Sequence, residues 1–279
     1  MKVWVDGTLH DARAGAVSPL DHGLLTGDGV FETLRVYAGM PFAWRRHLER
    51  LGQSARGLGL AVPPAALLRS AASEVLTVNG LLEARLRITV TGGPSPLGSA
   101  RGGTPPTIIV AASPLAPVEP SIAVATSPWP RNERGALAGL KTISYGENVA
   151  ALAYAHERGA DEAIFPNTLG NLCEGTGTNV FLVAEGTDTL VTPPPSAGCL
   201  AGVTRALVIE LCSELGIRCD EADVPLGALA DAGEAFLTST TREVQPVSSV
   251  DGRPLALAPG PVTARLSDAE LSALRGAKI

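Results

Sequence analysis

The chain opens on alternation. In "KVWVDG" apolar and polar residues trade places, the period of a strand with one face buried. "GVFETLRVYAGMPF" keeps that period on both sides of Ala38-Gly39, which predicts two strands joined by a tight turn. The period then changes. In "WRRHLERLGQSARGLGL", Leu48, Leu51, Ala55 and Leu58 recur at helical spacing, and Gly57 and Gly59 end the run. "PPAALLRSAASEVLTVNG" starts on proline, which a first helical turn tolerates, and stops at Asn79-Gly80. "ARLRITVTGG" and "PTIIVAAS" return to strand character, separated by a Gly/Pro/Ser-rich loop over 92–106.

"SPLAPVEP", from Ser113 to Pro120, has three prolines and no periodicity, so a linker is expected there. Beyond it "SIAVATSP", "DEAIFPN", "NVFLVAEG", "TLVTPP" and "EAFLTST" predict strands, and helices are expected near 146–158 and 203–215. Strands and helices do not alternate as a doubly wound parallel sheet requires. The expectation is an α+β chain with a small N-terminal domain over 1–112, a linker over 113–121 and a larger domain over 122–279. No internal repeat is visible.

Composition narrows the function classes. At 279 residues the chain can bury a substantial core, and 45% apolar with 18% charged residues fits a globular protein. A net charge of −6 provides no basic field for nucleic acid, and no Lys/Arg block forms a membrane patch. The N-terminus lacks the apolar stretch of a secretory signal, and no window approaches the ~20 apolar residues of a membrane helix. Cys173, Cys199, Cys212 and Cys219 show no C-x-x-C spacing, and too few histidines accompany them for a zinc site. They read as reduced core or near-site thiols of a cytoplasmic protein, with no metal expected.

Of 22 basic residues, lysine stands only at Lys2, Lys141 and Lys278. Lys2 and Lys278 lie at the ends, so Lys141, in "GLKTISYGENVAA", is the one lysine in the body of the chain. By position alone it is a solvated surface charge. Its chemical alternative is an amine of depressed pKa that condenses with an aldehyde, which a guanidinium cannot do. Glu174 in "NLCEGTGTNVF" reads by itself as an exposed acid in a hairpin. In "GCLAGVTRALVIELCSELG", Gly202, Val203 and Thr204 open a long amphipathic helix, whose N-terminus suits a phosphate. Thr204 is equally a plain N-cap. Ser239, Thr240 and Thr241 form a hydroxyl-rich turn in "TSTTREVQPV", and Arg50 in "HLERL" is by default an exposed helix residue. His10, His22, His47 and His156 have no G-x-S-x-G elbow beside them, and "GLLTGDGVF" is neither a dinucleotide fingerprint nor a P-loop.

The order of these segments carries more than any one of them. "DHGLLTGDGVFETLRVYAG", "HLERL", "LKTISYGENVAA", "DEAIFPN…GNLCEGTGTNVF", "CLAGVTR" and "TSTTREVQPVSSVDG" together resemble the class IV (fold type IV) pyridoxal-phosphate enzymes, from about Trp4 to Gly252. That family includes branched-chain and D-amino-acid aminotransferases and 4-amino-4-deoxychorismate lyases. The resemblance implies an α+β fold of a small N-terminal and a larger C-terminal α/β domain, with pyridoxal 5'-phosphate in the interdomain cleft. It also implies a homodimer in which N-terminal loops of one subunit complete the partner's pocket.

By the same resemblance, Lys141 forms the Schiff base and moves the substrate proton, and Glu174 pairs with the pyridine nitrogen. Arg50 binds the phosphate, as do Val203 and Thr204 at the helix start and Thr240, beside Ser239, in the later turn. Leu200 packs on the cofactor ring, and Tyr145 lies where some relatives carry a tyrosine near the cofactor hydroxyl. There are departures. His22 stands where many members have arginine. Relatives specific for D-amino acids trap the substrate carboxylate with Arg-x-His and a tyrosine, where this chain has Arg101 followed by two glycines, and Phe31. Phe31, Arg101, Tyr145 and Thr241 are the expected substrate-pocket residues. The resemblance favours a transaminase that moves an amino group between an amino acid or amine and a 2-oxo acid. Its alternatives are a lyase releasing pyruvate and p-aminobenzoate from aminodeoxychorismate, or a non-catalytic cofactor-binding relative.

Overall fold

The structure, a computed structural model, describes residues 1–184 and 186–276; Lys278 lies outside them. The chain divides into two compact units, the first made of Met1–Ala116 together with Leu140–Tyr145 and the second of Pro117–Gly139 with the chain from Gly146. Leu140–Tyr145, which pattern reading places in the larger domain, therefore packs with the first unit.

The first unit holds β1 (Lys2–Val5), β2 (Thr8–Asp11), the short α1 (His22–Thr26), β3 (Gly29–Tyr37), β4 (Met40–Pro41), α2 (Trp44–Gly57), α3 (Ala65–Asn79), β5 (Ala84–Thr91) and β6 (Ile108–Pro114). Six strands form an antiparallel sheet in the order β2-β1-β6-β5-β3-β4. Ala38 (φ 47) and Gly39 (φ 82) are both left-handed, which matches the twist of a two-residue hairpin turn. α3 stops where Gly80 turns left-handed and returns its N–H to Leu76 and Thr77 carbonyls. The core joins Leu34, Leu86 and Ile88 of the sheet to Leu51, Leu68 and Val75 of the helices, all at most 1% exposed. Each such side chain contributes roughly 1.5–3 kcal/mol of burial.

The second unit holds β7 (Ile122–Thr126), α4 (Gly146–His156), β8 (Glu162–Pro166), β9 (Leu172–Gly175), β10 (Asn179–Ala184), β11 (Leu190–Thr192), α5 (Val203–Leu215), β12 (Cys219–Glu221), β13 (Ala232–Ser239), β14 (Glu243–Val250), β15 (Arg253–Pro254) and α6 (Pro261–Gly276). Its sheet runs β12-β11-β10-β13-β14-β7-β8-β9, with β15 added beside β14. The pairs β11–β12, β7–β14 and β7–β8 are parallel. α5 and α6 cover Phe181, Val183 and Phe236 of this sheet. The fold is mixed α/β, as the patterning predicts. Pattern reading does not mark β14, whose Pro246 argues against a strand. Pairing with β7 begins only at Val247, so the proline precedes that ladder.

Candidate active site

In the first unit the lysine segment is laid against β3. Phe31 N–H donates to Lys141 O (3.0 Å), Ile143 N–H donates to Gly29 O (2.9 Å), and Lys141 N–H donates to Ser54 Oγ (3.0 Å) of α2. Lys141 is thus half-buried and held from both flanks, not the solvated charge that position alone suggests. Its Nζ lies 4.4 Å from the centre of the Phe31 ring. Tyr145 meets that ring edge-on at 5.3 Å, and the Arg87 guanidinium sits 3.7 Å from its centre. Lys141, Phe31 and Tyr145 are therefore brought together, with Arg87 as a cation the sequence did not single out. Burial lowers the pKa of Arg87.

Arg50 is buried, not exposed. Its Nε and Nη2 donate to Glu32 Oε1 and Oε2, both at 2.8 Å, and His47 Nδ1 lies 2.7 Å from Oε2. Glu32 is fully buried. Burial pushes its carboxyl up, but the bonds and charge of Arg50, aided by His47, outweigh this and hold it at about 2. Burial pushes His47 down against the pull of Glu32, and the charges of Arg50 and Lys141 add to the lowering. His47 is then neutral near pH 7, with its Nδ1–H donating to the carboxylate. The signal for this cluster is visible in hindsight. Val30, Leu34 and Val36 share one face of β3, and Glu32 is the carboxylate in the same phase, with His47 and Arg50 one helical turn apart opposite it.

Arg101 is placed elsewhere. It makes a two-point contact with Asp28 and donates to the Leu58 and Gly59 carbonyls. His22, unread in the sequence, pairs with the same Asp28 at 2.7 Å.

In the second unit Glu174 is the penultimate residue of β9, with its side chain 14% exposed. The segment is not a hairpin, since β9 pairs with β8 and β10 pairs with β11 and β13. Glu174 Oε2 accepts the Leu200 N–H (2.8 Å), and Arg131 Nε stands 3.3 Å from Oε1 as an ion pair without an aligned hydrogen bond. Arg131 also lies 4.1 Å from the Phe165 ring centre. Asn179 Nδ2 donates to Leu200 O (2.8 Å). Burial raises both neighbouring thiols, Cys199 to about 12 and Cys173 further, so neither is a nucleophile at neutral pH.

α5 starts beside this acid. Its N-cap is Gly202, not Thr204, and no side chain caps it. A side chain at Gly202 would collide with Asn179 Oδ1, so the helix start lies against the Asn179 end of β10. Val203 and Thr204 are buried there. Asn179 is paired in register with Thr238, and Ser239, Thr240 and Thr241 follow, all half-buried. The turn is pinned by Arg242, whose N–H donates to Ser239 Oγ (3.2 Å) and whose Nη1 donates to buried Glu162 (2.9 Å). The Thr178 and Thr238 hydroxyls are buried without a protein partner. Uncapped helix N–H groups and orphaned hydroxyls at one end of a sheet call for an anionic acceptor.

Among the described residues no His/Cys/Asp/Glu group is placed to hold a metal ion, no helix is long and apolar enough to cross a membrane, and the four cysteines are free thiols.

Residues 29–250 match the model of the class IV amino-transferases. A Methanocaldococcus jannaschii protein with the provisional name branched-chain-amino-acid aminotransferase is 38% identical over 258 residues, 91% of this chain and 89% of the relative. The D-alanine aminotransferase of Bacillus licheniformis is 33% identical over 273 residues, 96% and 95% of the two chains. A branched-chain amino acid aminotransferase from T.th., solved with pyridoxamine 5'-phosphate, superposes at a TM-score of 0.91 with 30% identity, over 99% of this chain and 95% of its own. A Legionella pneumophila protein provisionally named 4-amino-4-deoxychorismate lyase gives 0.87 and 27%, over 94% and 97%. The chain belongs to the class IV aminotransferases, a pyridoxal-phosphate-using family of fold type IV. Its activity is that of a transaminase.

Proposed function

We propose that the protein carries pyridoxal 5'-phosphate on Lys141 and transfers an amino group from an amino acid to a 2-oxo acid. The observation that carries this is the setting of Lys141, an amine held above the Phe31 ring on a segment bonded to β3 and α2. When bound, the cofactor supplies an aldehyde and an electron-accepting ring.

The chain's own residues fit that group. The second unit presents uncapped N–H groups at Val203 and Thr204 and, from the adjoining turn, the hydroxyls of Ser239 and Thr240, a cradle suited to a phosphate dianion. Arg50, its fork pre-set by Glu32, adds a fixed positive charge for the same group. Glu174, oriented by the Leu200 N–H and Arg131, holds a proton on the pyridine nitrogen. Leu200 offers its side chain to the ring face. The Lys141 amine would carry the proton from the α-carbon of the amino-acid donor to the cofactor in the first half of the reaction, and carry a proton from the cofactor to the α-carbon of the 2-oxo acid in the second half. Phe31, Tyr145 and Thr241 shape the substrate site, and Arg87 offers the cation for an anionic substrate group.

Adding an amino-acid donor without a 2-oxo acid converts the bound cofactor to its pyridoxamine form, read by loss of the near-ultraviolet or visible band. A broad donor panel that never bleaches the band sinks the transaminase reading. The Legionella neighbour makes aminodeoxychorismate the informative second substrate, since release of both pyruvate and p-aminobenzoate marks the lyase. Glu174→Gln lowers turnover by about 100-fold while the cofactor stays bound, because the neutral amide no longer holds the ring proton. Unchanged turnover in that variant removes Glu174 from the role. We also assign the protein to the cytoplasm as a homodimer, and light scattering of the purified protein checks the dimer.

A further inference from the structure

The Gly/Pro/Ser-rich loop over 92–106 is tied down at one carboxylate. Asp28 Oδ2 receives the Arg101 Nε–H (2.6 Å) and lies 2.7 Å from His22 Nδ1, while Oδ1 receives Arg101 Nη2 (2.5 Å). Arg101 continues to Leu58 O (2.7 Å) and Gly59 O (2.8 Å) at the end of α2, and His22 Nε2 lies 3.0 Å from Gly98 O. Four parts of the fold thus meet at Asp28: α1, the start of β3, the loop and the α2 terminus. Gly92 N–H also donates to Asp28 O (2.9 Å), and a side chain at Gly92 would strike the Asp28 carboxylate.

The other edge of the same segment faces Lys141. Ile143 N–H donates to Gly29 O and Ser144 Oγ donates to Gly27 O, both at 2.9 Å. Phe31 follows Asp28 by three positions. Gly27-Asp28-Gly29 therefore holds the lysine segment on one side and the loop on the other.

We propose that His22, Asp28 and Arg101 are positioning residues, a charged clasp that anchors the 92–106 loop and fixes Gly27-Asp28-Gly29 under the lysine segment. Arg101 is engaged in this clasp and is not a ligand of the substrate carboxylate. Four of its five N–H groups already have acceptors within the chain. The inference that the clasp serves turnover rests on Lys141 being the reacting amine; the anchoring of the loop does not.

The clasp is sensitive to pH. Both His22 ring nitrogens face acceptors, and only the doubly protonated imidazolium can donate to both. The charged groups facing it are Asp28 and Arg101. The nearby Asp21 carboxylate accepts from Gly23 N–H and the Thr91 hydroxyl. The Asp28 and Gly98 bonds raise His22 above its ordinary 6.5. The clasp is therefore complete below about pH 6.5 and loses one bond as pH rises through the raised value.

The test compares holoenzyme with Arg101→Gln, Asp28→Asn and the double variant, by proteinase K cleavage within 92–106 and by steady-state kinetics. Arg101 keeps a third of its side chain exposed (33%), so Arg101→Gln leaves the core intact. Each single variant is expected to raise loop cleavage about tenfold, and the double variant no further, because the residues act as one unit. KM for donor and acceptor rises to the same extent in all three, with kcat altered less. In wild type, loop cleavage normalised to an unfolded control peptide rises as pH increases through the raised His22 value. Asp28→Asn flattens that profile. The proposal is overturned if Arg101→Gln raises KM while the loop stays protected and Asp28→Asn behaves as wild type, which would return Arg101 to the substrate. Additive effects in the double variant, or a pH-independent wild-type loop, overturn it as well. Loop cleavage is read without reference to Lys141, so failure here is separable from failure of the Lys141 assignment.

Discussion

Lys141→Ala abolishes the near-ultraviolet or visible band of the bound cofactor and lowers transaminase turnover by about 10,000-fold, since one substitution removes both the covalent attachment and the proton carrier. The fold is expected to survive. The segment is held through main-chain bonds at Phe31, Gly29 and Ser54, which alanine leaves in place. The loss from stability includes the contact of the ammonium with the Phe31 ring, worth about 0.5–1 kcal/mol at a partly exposed site. Melting curves of the two proteins should therefore lie close together while their spectra differ. Borohydride treatment supplies the deciding measurement. In wild type it should fix the cofactor to the chain, and in Lys141→Ala it should not. A variant that still retained covalently reduced cofactor would place the reacting amine elsewhere.

Pattern reading recovers two kinds of element, those with one buried face and the continuous apolar runs of strands buried on both faces, such as β8 and β10. β5 and α2 declare themselves through the alternation of "ARLRITVTGG" and through the spacing of Leu48, Leu51 and Ala55, because a half-buried surface imposes its period on the sequence. β14 does not, since "EVQPVSSV" mixes proline and polar residues in a strand covered by neighbours on both edges. Lys141 stood out for a different reason. In an arginine-rich chain one internal lysine is conspicuous, although its position alone reads as a surface charge and only the order of the other motifs points to an amine.

What could not be read from the pattern is which charges are inside. Arg50 and Glu174 are exposed by default because ionised side chains are seldom buried singly. The partners that make their burial tolerable lie far along the chain: Glu32 is 18 positions from Arg50, and the Leu200 N–H is 26 positions from Glu174. Arg101 shows the converse. Resemblance offered it to the substrate, and only the coordinates reveal Asp28, 73 residues away, as its partner. Thr204 likewise reads as a cap until the register of α5 places Gly202 in that position and leaves the helix N–H groups available.

Glu32→Ala is the second substitution with a large expected effect, and it acts on stability and cofactor affinity together. It removes the paired bonds to Arg50 and the bond from His47, leaving a buried guanidinium without this counter-charge. Breaking a buried ion pair from one side costs about 3–5 kcal/mol. Glu32→Gln keeps the shape and one acceptor, so a smaller loss is expected, about 1–3 kcal/mol. The pH dependence carries a definite sign. The Glu32 carboxyl falls from 4.5 to about 2 on folding, so its contribution, roughly 3 kcal/mol, is fully present above 4.5 and is lost as pH falls through 2. The gap in unfolding free energy between wild type and Glu32→Gln should therefore be widest near neutrality and close as the pH approaches about 2. Subtracting the two proteins removes the carboxylates they share. A gap that stayed constant from about pH 7 to about pH 2.5 would mean that Glu32 is not held ionised by Arg50. Cofactor titration adds the functional half. With its fork no longer fixed by Glu32, Arg50 should bind the phosphate more weakly in both variants, whereas Lys141 remains able to form the covalent link at high cofactor concentration.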